Sequence, residues 1–254
     1  MQLTLLQRRG SVAAEEFAAA LNESLSDLKG ELSASARLVG FSKNGWAKVA
    51  IDGADSEILS EIITREFGQA QVDIAHLELH ANHMAIVKAV GTDLQVDIGI
   101  EEPSPLGVNL GVRTLRAQLC DGRNLPCKEI TECYCIQPGS ALLVRIEHLE
   151  RDTGRIEAWV ADSQIELFSD WVASRLERIQ VFDCTRRRVD LAIRRANLDR
   201  DVISVESSTL TTHSAVCKLG TDAIGLIPKL GGILRKSELK PFLPKRVLAK
   251  CRQW

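Results

Sequence analysis

Apolar residues recur every three to four positions in two N-terminal segments, and this spacing predicts two amphipathic helices. We expect Ser11 to cap the first helix, whose apolar positions are Val12, Phe17, Ala20, Leu21, Leu25 and Leu28. The second helix should start at Asp55 or Ser56 and end at Gly68, with one face formed by Ile58, Leu59, Ile62, Ile63 and Phe67.

Short strands are predicted around these helices, at residues 2–7, 35–41 and 46–51. The last two should form a hairpin, since Asn44-Gly45 readily adopts the positive φ of a tight turn. The resulting β-α-β-β-α order predicts a small α/β module over residues 1–72, with Trp46 packed at the edge of its core.

Residues 73–165 are predicted to form a small β-barrel, with strands at 85–90 and 94–100 and a hairpin through Asp152–Gly154. The segments VDIGI and PGSALLVRI resemble the OB-type RNA-binding repeat of ribosomal and exosome proteins. Such repeats usually present stacking aromatic residues on one barrel face, whereas Leu94–Ile100 contains none. RNA binding by this barrel and a role as a spacer or protein-docking unit therefore both remain open.

Residues 166–254 are predicted to form a basic α/β module, which makes the whole chain an α+β protein of three modules. An amphipathic helix over 165–178 should lead into it, with a stripe formed by Ile165, Phe168, Trp171, Val172, Leu176 and Ile179. After a strand at 179–182, Thr185 should cap a helix through Val189 and Ile193, for which a strand is the alternative. Two further strands and a broken helical segment then repeat the N-terminal order, as a distant duplication or a common motif would.

The net charge of −2 conceals a strong asymmetry along the chain. Residues 1–183 hold 17 Lys and Arg against 28 Asp and Glu, a net charge of −11, whereas residues 184–254 hold 15 against 6, a net charge of +9. This asymmetry indicates either an anionic partner at the basic end or docking of the two ends on each other.

The basic end supplies the candidate binding site. Arginine suits phosphate because its planar fork makes paired, charge-assisted hydrogen bonds. The alternative is a solvated helix face whose arginines pair with Asp190, Asp199 and Asp201. The stretch CKLGTDAIGLIPKLGG, residues 217–232, lacks the spacing of a P-loop, and either packing or ligand contact would explain it. The candidate nucleic-acid-binding residues are Arg187, Arg194, Arg195, Lys218, Lys229, Arg235 and Lys236.

No catalytic, metal or cofactor motif is found. Asp97, Asp222 and His213 are the only acid–base candidates, and nothing in the sequence connects them. The spacings within Cys120, Cys127, Cys133 and Cys135 do not favour a metal site. His76 and His80 would share one face of a helix, as a zinc site requires, but the apolar pattern around them indicates extended chain and no further ligand motif completes a site with them or with His83. The odd number of seven cysteines favours reduced thiols in the cytoplasm, and no membrane span is expected because no run of about 18 apolar residues occurs.

Three segments carry a resemblance to a known family: residues 45–68, residues 94–100, and RDVISVES followed by CKLGTDAIGLIPKLG. They resemble an archaeal family known only as a domain of unknown function, whose members are often encoded near transcription factor E. The resemblance implies an archaeal cytosolic protein of the information-processing machinery. The expected function is non-catalytic nucleic-acid binding, with RNA as the expected partner, in transcription or translation. The alternative is a protein-docking adaptor for RNA polymerase or ribosomal proteins.

Overall fold

The computed structural model describes residues 1–252, in which two open β-sheets and a closed five-stranded barrel combine with α-helices. The mixed α/β character and the barrel in the middle of the chain are confirmed. The boundaries of the three predicted domains stay a prediction, and the last predicted range includes residues 253 and 254, which lie outside the described part.

The N-terminal sheet has three antiparallel strands in the order β1-β3-β2, covered on one face by two helices. Its elements are β1 (Gln2–Thr4), α1 (Ala14–Lys29), β2 (Ala34–Phe41), β3 (Ala47–Gly53) and α2 (Ser56–Phe67). The core packs Phe17 and Leu21 of α1 and Leu59 and Ile63 of α2 on apolar residues such as Val49 of β3. The predicted turn is present, with Gly45 at a φ of 82°.

Two predicted details of this module are wrong. Ser11 does not cap α1: the helix starts at Ala14, and the Ser11 amide points instead to Asp183 Oδ1 at 3.4 Å. Ile58 is exposed, because only one side of α2 faces the sheet and Leu59 and Ile63 occupy it.

The barrel has the strand order β4-β5-β6-β8-β7 and closes by pairing β7 with β4. Its elements are β4 (Asn82–Val90), β5 (Leu94–Asp97), β6 (Val108–Leu110), α3 (Val112–Leu119), α4 (Cys127–Cys133), β7 (Ala141–Glu150) and β8 (Arg155–Val160). A 3-10 turn, Ile74–His76, precedes it. β6 runs parallel to β8 and the other pairs are antiparallel. The barrel interior is filled by aliphatic side chains, as the scarcity of aromatic residues requires.

The C-terminal sheet has the order β10-β11-β9-β12 and two helices on one face. The elements are α5 (Asp162–Ala173), β9 (Arg178–Phe182), α6 (Arg186–Arg195), β10 (Val202–Thr209), β11 (Thr212–Cys217), α7 (Ala223–Ile233), β12 (Glu238–Phe242) and α8 (Pro244–Lys250). The first three strands of both open sheets therefore share one arrangement, in which the third strand lies between the first and the second.

Three predictions are settled in this region. Residues 186–195 are a helix and not the alternative strand. The helical segment expected to be broken is a continuous α7 that contains Pro228. α5 ends at Ala173, so Leu176 and Ile179 are not on it, because Ile179 is already part of the buried strand β9.

The face of the C-terminal sheet opposite α6 and α7 is closed by the barrel and α5. Thr212 Oγ1 donates to the Gly139 carbonyl at 3.2 Å, and the ring centroids of Phe242 and Trp171 lie 5.3 Å apart. The guanidinium of Arg178 lies over the Trp171 ring at 4.6 Å. All five residues of β9 are buried, so both faces of the sheet are covered along its centre, one by α6 and α7 and the other by the barrel and α5.

Candidate nucleic-acid interface

The outward face of α6 is basic, as the helical periodicity predicts. Val189, Ala192 and Ile193 are buried against the sheet, so Arg187 and Arg194 project from the opposite side of the helix. Arg194 and Arg195 also occupy the last turn, where positive charge is favoured by the helix dipole. The arginines of this face are therefore exposed, and the two in the last turn also stabilise the helix.

The exposed sides of α6 and α7 and the segments at their ends form what we call the two-helix surface. β9 and β10 are parallel to each other, because both pair antiparallel with β11. α6 leads from the end of β9 to the start of β10, and α7 leads from the end of β11 to the start of β12. The two helices consequently run in opposite directions, so that the end of α6 lies beside the start of α7.

This arrangement groups the predicted cations. Lys218, whose amide donates to the Asp201 carbonyl at 2.7 Å, lies at the end of the surface where Arg194 and Arg195 project. At the other end, Ser237 Oγ donates to the Asp183 carbonyl at 3.4 Å, and this contact brings the segment after α7 close to the start of α6. Arg235 and Lys236 therefore lie at the same end as Arg187, and Lys229 is carried by α7 between the two groups.

All seven predicted cations are exposed, and none forms an ion pair with a carboxylate of residues 1–252. Of the three carboxylates expected to neutralise the arginines, only Asp190 does so, and it pairs with Arg186 at 3.0 Å. Asp199 and Asp201 form no ion pair in the described chain.

Other cations of the basic end do dock on the acidic part of the chain. Arg188 lies 3.6 Å from Glu16, Arg246 3.3 Å from Glu132 and Lys250 3.7 Å from Glu129. Arg252 lies 3.9 Å from Asp121. Docking of the two ends on each other thus accounts for part of the charge asymmetry: Arg246, Lys250 and Arg252 pair with carboxylates of residues 1–183, whereas the seven predicted cations of the two-helix surface do not.

Residues 217–232, the stretch with four glycines, form the end of β11, a turn and most of α7. Asp222 caps the helix by accepting a hydrogen bond from the Ile224 amide at 3.0 Å, and Gly220 takes a φ of 87° in the turn. Ala223, Leu226 and Leu230 are buried, which accounts for one side of the helix as packing. The opposite side carries Lys229 and exposed apolar residues.

The barrel carries an exposed aromatic residue, Trp159, that the prediction from the sequence did not consider. Trp159 on β8 is 42% exposed, and the guanidinium of Arg145 lies 5.8 Å from its ring centroid. The prediction considered aromatic residues only on Leu94–Ile100, whereas alternation along β8 would have placed Trp159 on the outer face.

The three acid–base candidates are not brought together. Asp97 accepts a hydrogen bond from Arg8 Nη2 at 2.9 Å, Asp222 caps α7, and His213 is buried on β11. The His213 ring lies 2.9 Å from the Cys184 carbonyl and 2.8 Å from Ser207 Oγ, and burial lowers its pKa to about 4. Each candidate thus has a structural partner of its own.

The cysteines are free thiols, and six of the seven are buried. Burial is the main reason that the pKa of the Cys127 thiol rises to about 11 and that of the Cys135 thiol to about 12. Interaction with the Cys120 side chain raises the pKa of the Cys251 thiol to about 12, so these two thiols from distant segments are neighbours, which their spacing did not predict. In residues 1–252 no group of three or more His, Cys, Asp or Glu side chains is placed to hold a metal ion. None of the helices there has the length and apolar character to cross a membrane.

Comparison with solved structures finds distant similarity. One match is the crystal structure of an a/eIF2alpha–aDim2p–rRNA complex from Pyrococcus horikoshii, at 10% identity and a TM-score of 0.26, covering 48% of this chain and 64% of that chain. Another is a multidomain protein with nucleic acid binding domains from Streptococcus pneumoniae, at 11% identity and a TM-score of 0.21, covering 86% of this chain and 56% of that chain. This chain therefore spans less than two thirds of either protein's length.

No curated protein matches the chain. One family model does match, over a segment that runs from just before β9 into β12 and includes both helices of the two-helix surface. Residues 176–240 match the DUF2110 C-terminal domain, which relates this segment to an uncharacterised family of domains of unknown function.

Proposed function

We propose that this protein binds RNA without catalysing a reaction, through the two-helix surface. The observation that carries the proposal is that Arg187, Arg194, Arg195, Lys218, Lys229, Arg235 and Lys236 are all exposed and have no ion-pair partner in residues 1–252. Unpaired cations on one side of a folded unit are suited to the regularly spaced phosphates of a polyanion.

Single-stranded RNA is the proposed form of the partner. The barrel order β4-β5-β6-β8-β7, with a parallel β6–β8 contact, supports an OB-type barrel, a kind of fold that is used to bind single strands. Trp159 on its outer face would supply a stacking platform. The closed face of the C-terminal sheet argues against base stacking on an open sheet of the RRM kind.

The proposed setting is archaeal transcription or translation in the cytoplasm. It follows from the family resemblance of residues 45–68 and 217–231 and from the free thiols of all seven cysteines. The absence of catalysis is proposed because Asp97, Asp222 and His213 lie in separate hydrogen-bonding environments.

We predict that the combined variant Arg187→Ala/Arg194→Ala/Arg195→Ala binds single-stranded RNA with a weaker salt dependence. Each phosphate contact adds roughly 0.7 to the slope of log K against log salt for single strands, so three lost contacts should reduce the slope by about 2. Filter binding of an RNA 20-mer over a salt series measures this slope.

The matched control is Arg37→Ala/Lys43→Ala/Arg113→Ala, which removes three exposed cations outside the C-terminal sheet. Its slope should equal that of the unmodified protein. RNA binding that is absent at low salt, or an equal change of slope in the two variants, would contradict the proposal.

A protein-docking role is the second candidate, with RNA polymerase or ribosomal proteins as partners. It is favoured by exposed apolar residues on or beside the two-helix surface: Leu219 is 71% exposed, Ile224 54% and Leu191 44%. Affinity capture from lysate with and without nuclease separates the two candidates, since protein partners that persist after nuclease treatment favour docking.

A further inference from the structure

A pocket of about 290 Å³ lies where the N-terminal segment, the barrel and the C-terminal sheet meet. Its walls come from residues 6–10, from β4, from the turn at 138–139, and from the C-terminal sheet around residues 182–183 and 209–212. Junctions of this kind are common places for small-molecule sites, because several chain segments can each contribute a polar group.

Two cations line the pocket, and one of them is held in place. Arg8 Nη2 donates to Asp97 Oδ2 at 2.9 Å, and the guanidinium lies 3.5 Å from the centroid of the Trp46 ring. The Nε of Arg8 is buried and has no hydrogen-bond partner in the described structure. Lys88 is exposed on β4 and forms no ion pair with any residue of 1–252. The guanidinium is therefore oriented in advance, and the Lys88 ammonium adds a charge that no ion pair within residues 1–252 neutralises.

One carboxylate, that of Asp183, also lines the pocket. Asp183 adopts a φ of 55°, in the left-handed region that Asp and Asn enter more readily than most other non-glycine residues. Its Oδ1 faces the Ser11 amide, and no hydrogen bond is made by Oδ2 within residues 1–252. Gly10, with a φ of 54°, packs against this carboxylate so closely that a Cβ would overlap Oδ1.

The remaining walls are hydroxyl-bearing or apolar. Thr209, Thr211 and Thr212 contribute one side, and Leu6, Ile86 and Phe182 contribute apolar surface. The pocket thus combines cations, an acceptor-only carboxylate, hydroxyl groups and an apolar wall in a volume near the lower end of ligand sites.

We infer that this pocket binds a ribonucleotide, an inference that rests on and deepens the proposed RNA binding. The phosphate is bound by Arg8 and Lys88, because charge-assisted hydrogen bonds to phosphate are the strongest contacts available there. The ribose hydroxyls donate to Asp183, and the base lies against the apolar wall near Phe182. Ser237 links Asp183 to the end of the two-helix surface that carries Arg235 and Lys236, so the pocket and that surface adjoin.

The test uses adenosine 5′-monophosphate, 2′-deoxyadenosine 5′-monophosphate and adenosine as probes, titrated into the full chain by calorimetry. The ribonucleotide should bind best, and loss of either the phosphate or the 2′-hydroxyl should weaken binding. Lys88→Ala should weaken nucleotide binding about tenfold. Asp183→Asn keeps an acceptor oxygen but loses the charge, so it should reduce the preference for the ribonucleotide over the deoxynucleotide. Asn tolerates the left-handed conformation, so this variant should fold.

Lys43→Ala and Asp152→Asn are the matched controls, since both residues are exposed and lie outside the pocket. Neither should alter nucleotide binding. The inference is overturned if adenosine monophosphate does not bind at about 1 mM, or if the pocket variants and the controls bind it equally.

A competition experiment identifies the source of the nucleotide. Displacement of an oligoadenylate 8-mer by the mononucleotide would support a pocket that takes a nucleotide of the bound strand, and simultaneous binding would support a free-nucleotide site. The variant Arg187→Ala/Arg194→Ala/Arg195→Ala should bind RNA more weakly, with the reduced salt slope, but retain full nucleotide binding. A protein that binds RNA without binding the nucleotide refutes only the pocket, and the reverse result refutes only the RNA proposal.

Discussion

Replacement of Trp46 by alanine is expected to lower the free energy of unfolding by about 3–5 kcal/mol. Trp46 is fully buried and packs with Leu6, Ala70 and Ile86, so it joins the N-terminal segment to barrel strand β4. Its ring also supports the guanidinium of Arg8. Alanine would leave a large cavity at this junction and would release Arg8, and urea denaturation followed by circular dichroism measures the loss.

Two variants serve as controls for this result. Trp46→Phe should cost less than half as much, because Trp46 Nε1 is buried without a hydrogen-bond partner in the described structure and phenylalanine sacrifices no hydrogen bond. Trp159→Ala removes the same side chain from an exposed site and should change stability by only about 0.5 kcal/mol. Equal losses for Trp46→Ala and Trp159→Ala would contradict the role assigned to Trp46.

The local elements followed from the sequence wherever local physics decides them. The Asn44-Gly45 turn and the end of α2 at Gly68 depend on backbone conformations that glycine adopts readily, and both glycines have positive φ. The helix over residues 186–195 followed from its apolar period, and that same period places Arg187 and Arg194 outward. The exposure of the α6 cations could therefore be predicted from the sequence.

The start of α1 shows where such local reasoning fails. Ser11 has the chemistry of a helix cap, but its amide faces Asp183, 172 residues away, and the helix starts three residues later. The tertiary contact with Asp183 thus prevails over the local preference of serine for the start of a helix. The capping preference of about 1 kcal/mol is small enough to be overridden in this way.

Which cations are neutralised within the chain could not be predicted from the sequence either. Arg246 and Lys250 appeared as free as Arg187 in a one-dimensional charge count, yet α8 lies against α4, where Glu129 and Glu132 pair with them. The pocket near Asp183 is a stronger case, because its walls come from segments up to two hundred residues apart. Only the three-dimensional arrangement distinguishes cations that bind within the chain from those available to a partner.

His213 is expected to cause a large part of the change in unfolding free energy with pH. Burial lowers its pKa to about 4, whereas an unfolded histidine titrates near 6.5. Between these values the unfolded chain binds more protons, so the free energy of unfolding must fall as the pH decreases from about 6.5 to about 4. The shift corresponds to about 3 kcal/mol from this residue, fully present above pH 6.5. Urea denaturation at intervals from pH 7 to pH 4 measures it.

The test compares the slopes of unfolding free energy against pH in the two proteins. His213→Gln should lose most of the slope between pH 4 and pH 6.5, even if this variant is less stable at pH 7. His83, whose pKa is also lowered by burial, contributes with the same sign and remains in that variant. His76 is exposed and forms no ion pair within residues 1–252, and His76→Gln should keep the full dependence of the unmodified protein. If His213→Gln and the unmodified protein lose stability in parallel from pH 6.5 to pH 4, His213 is not a neutral buried imidazole, and its contacts with Cys184 and Ser207 have been misassigned.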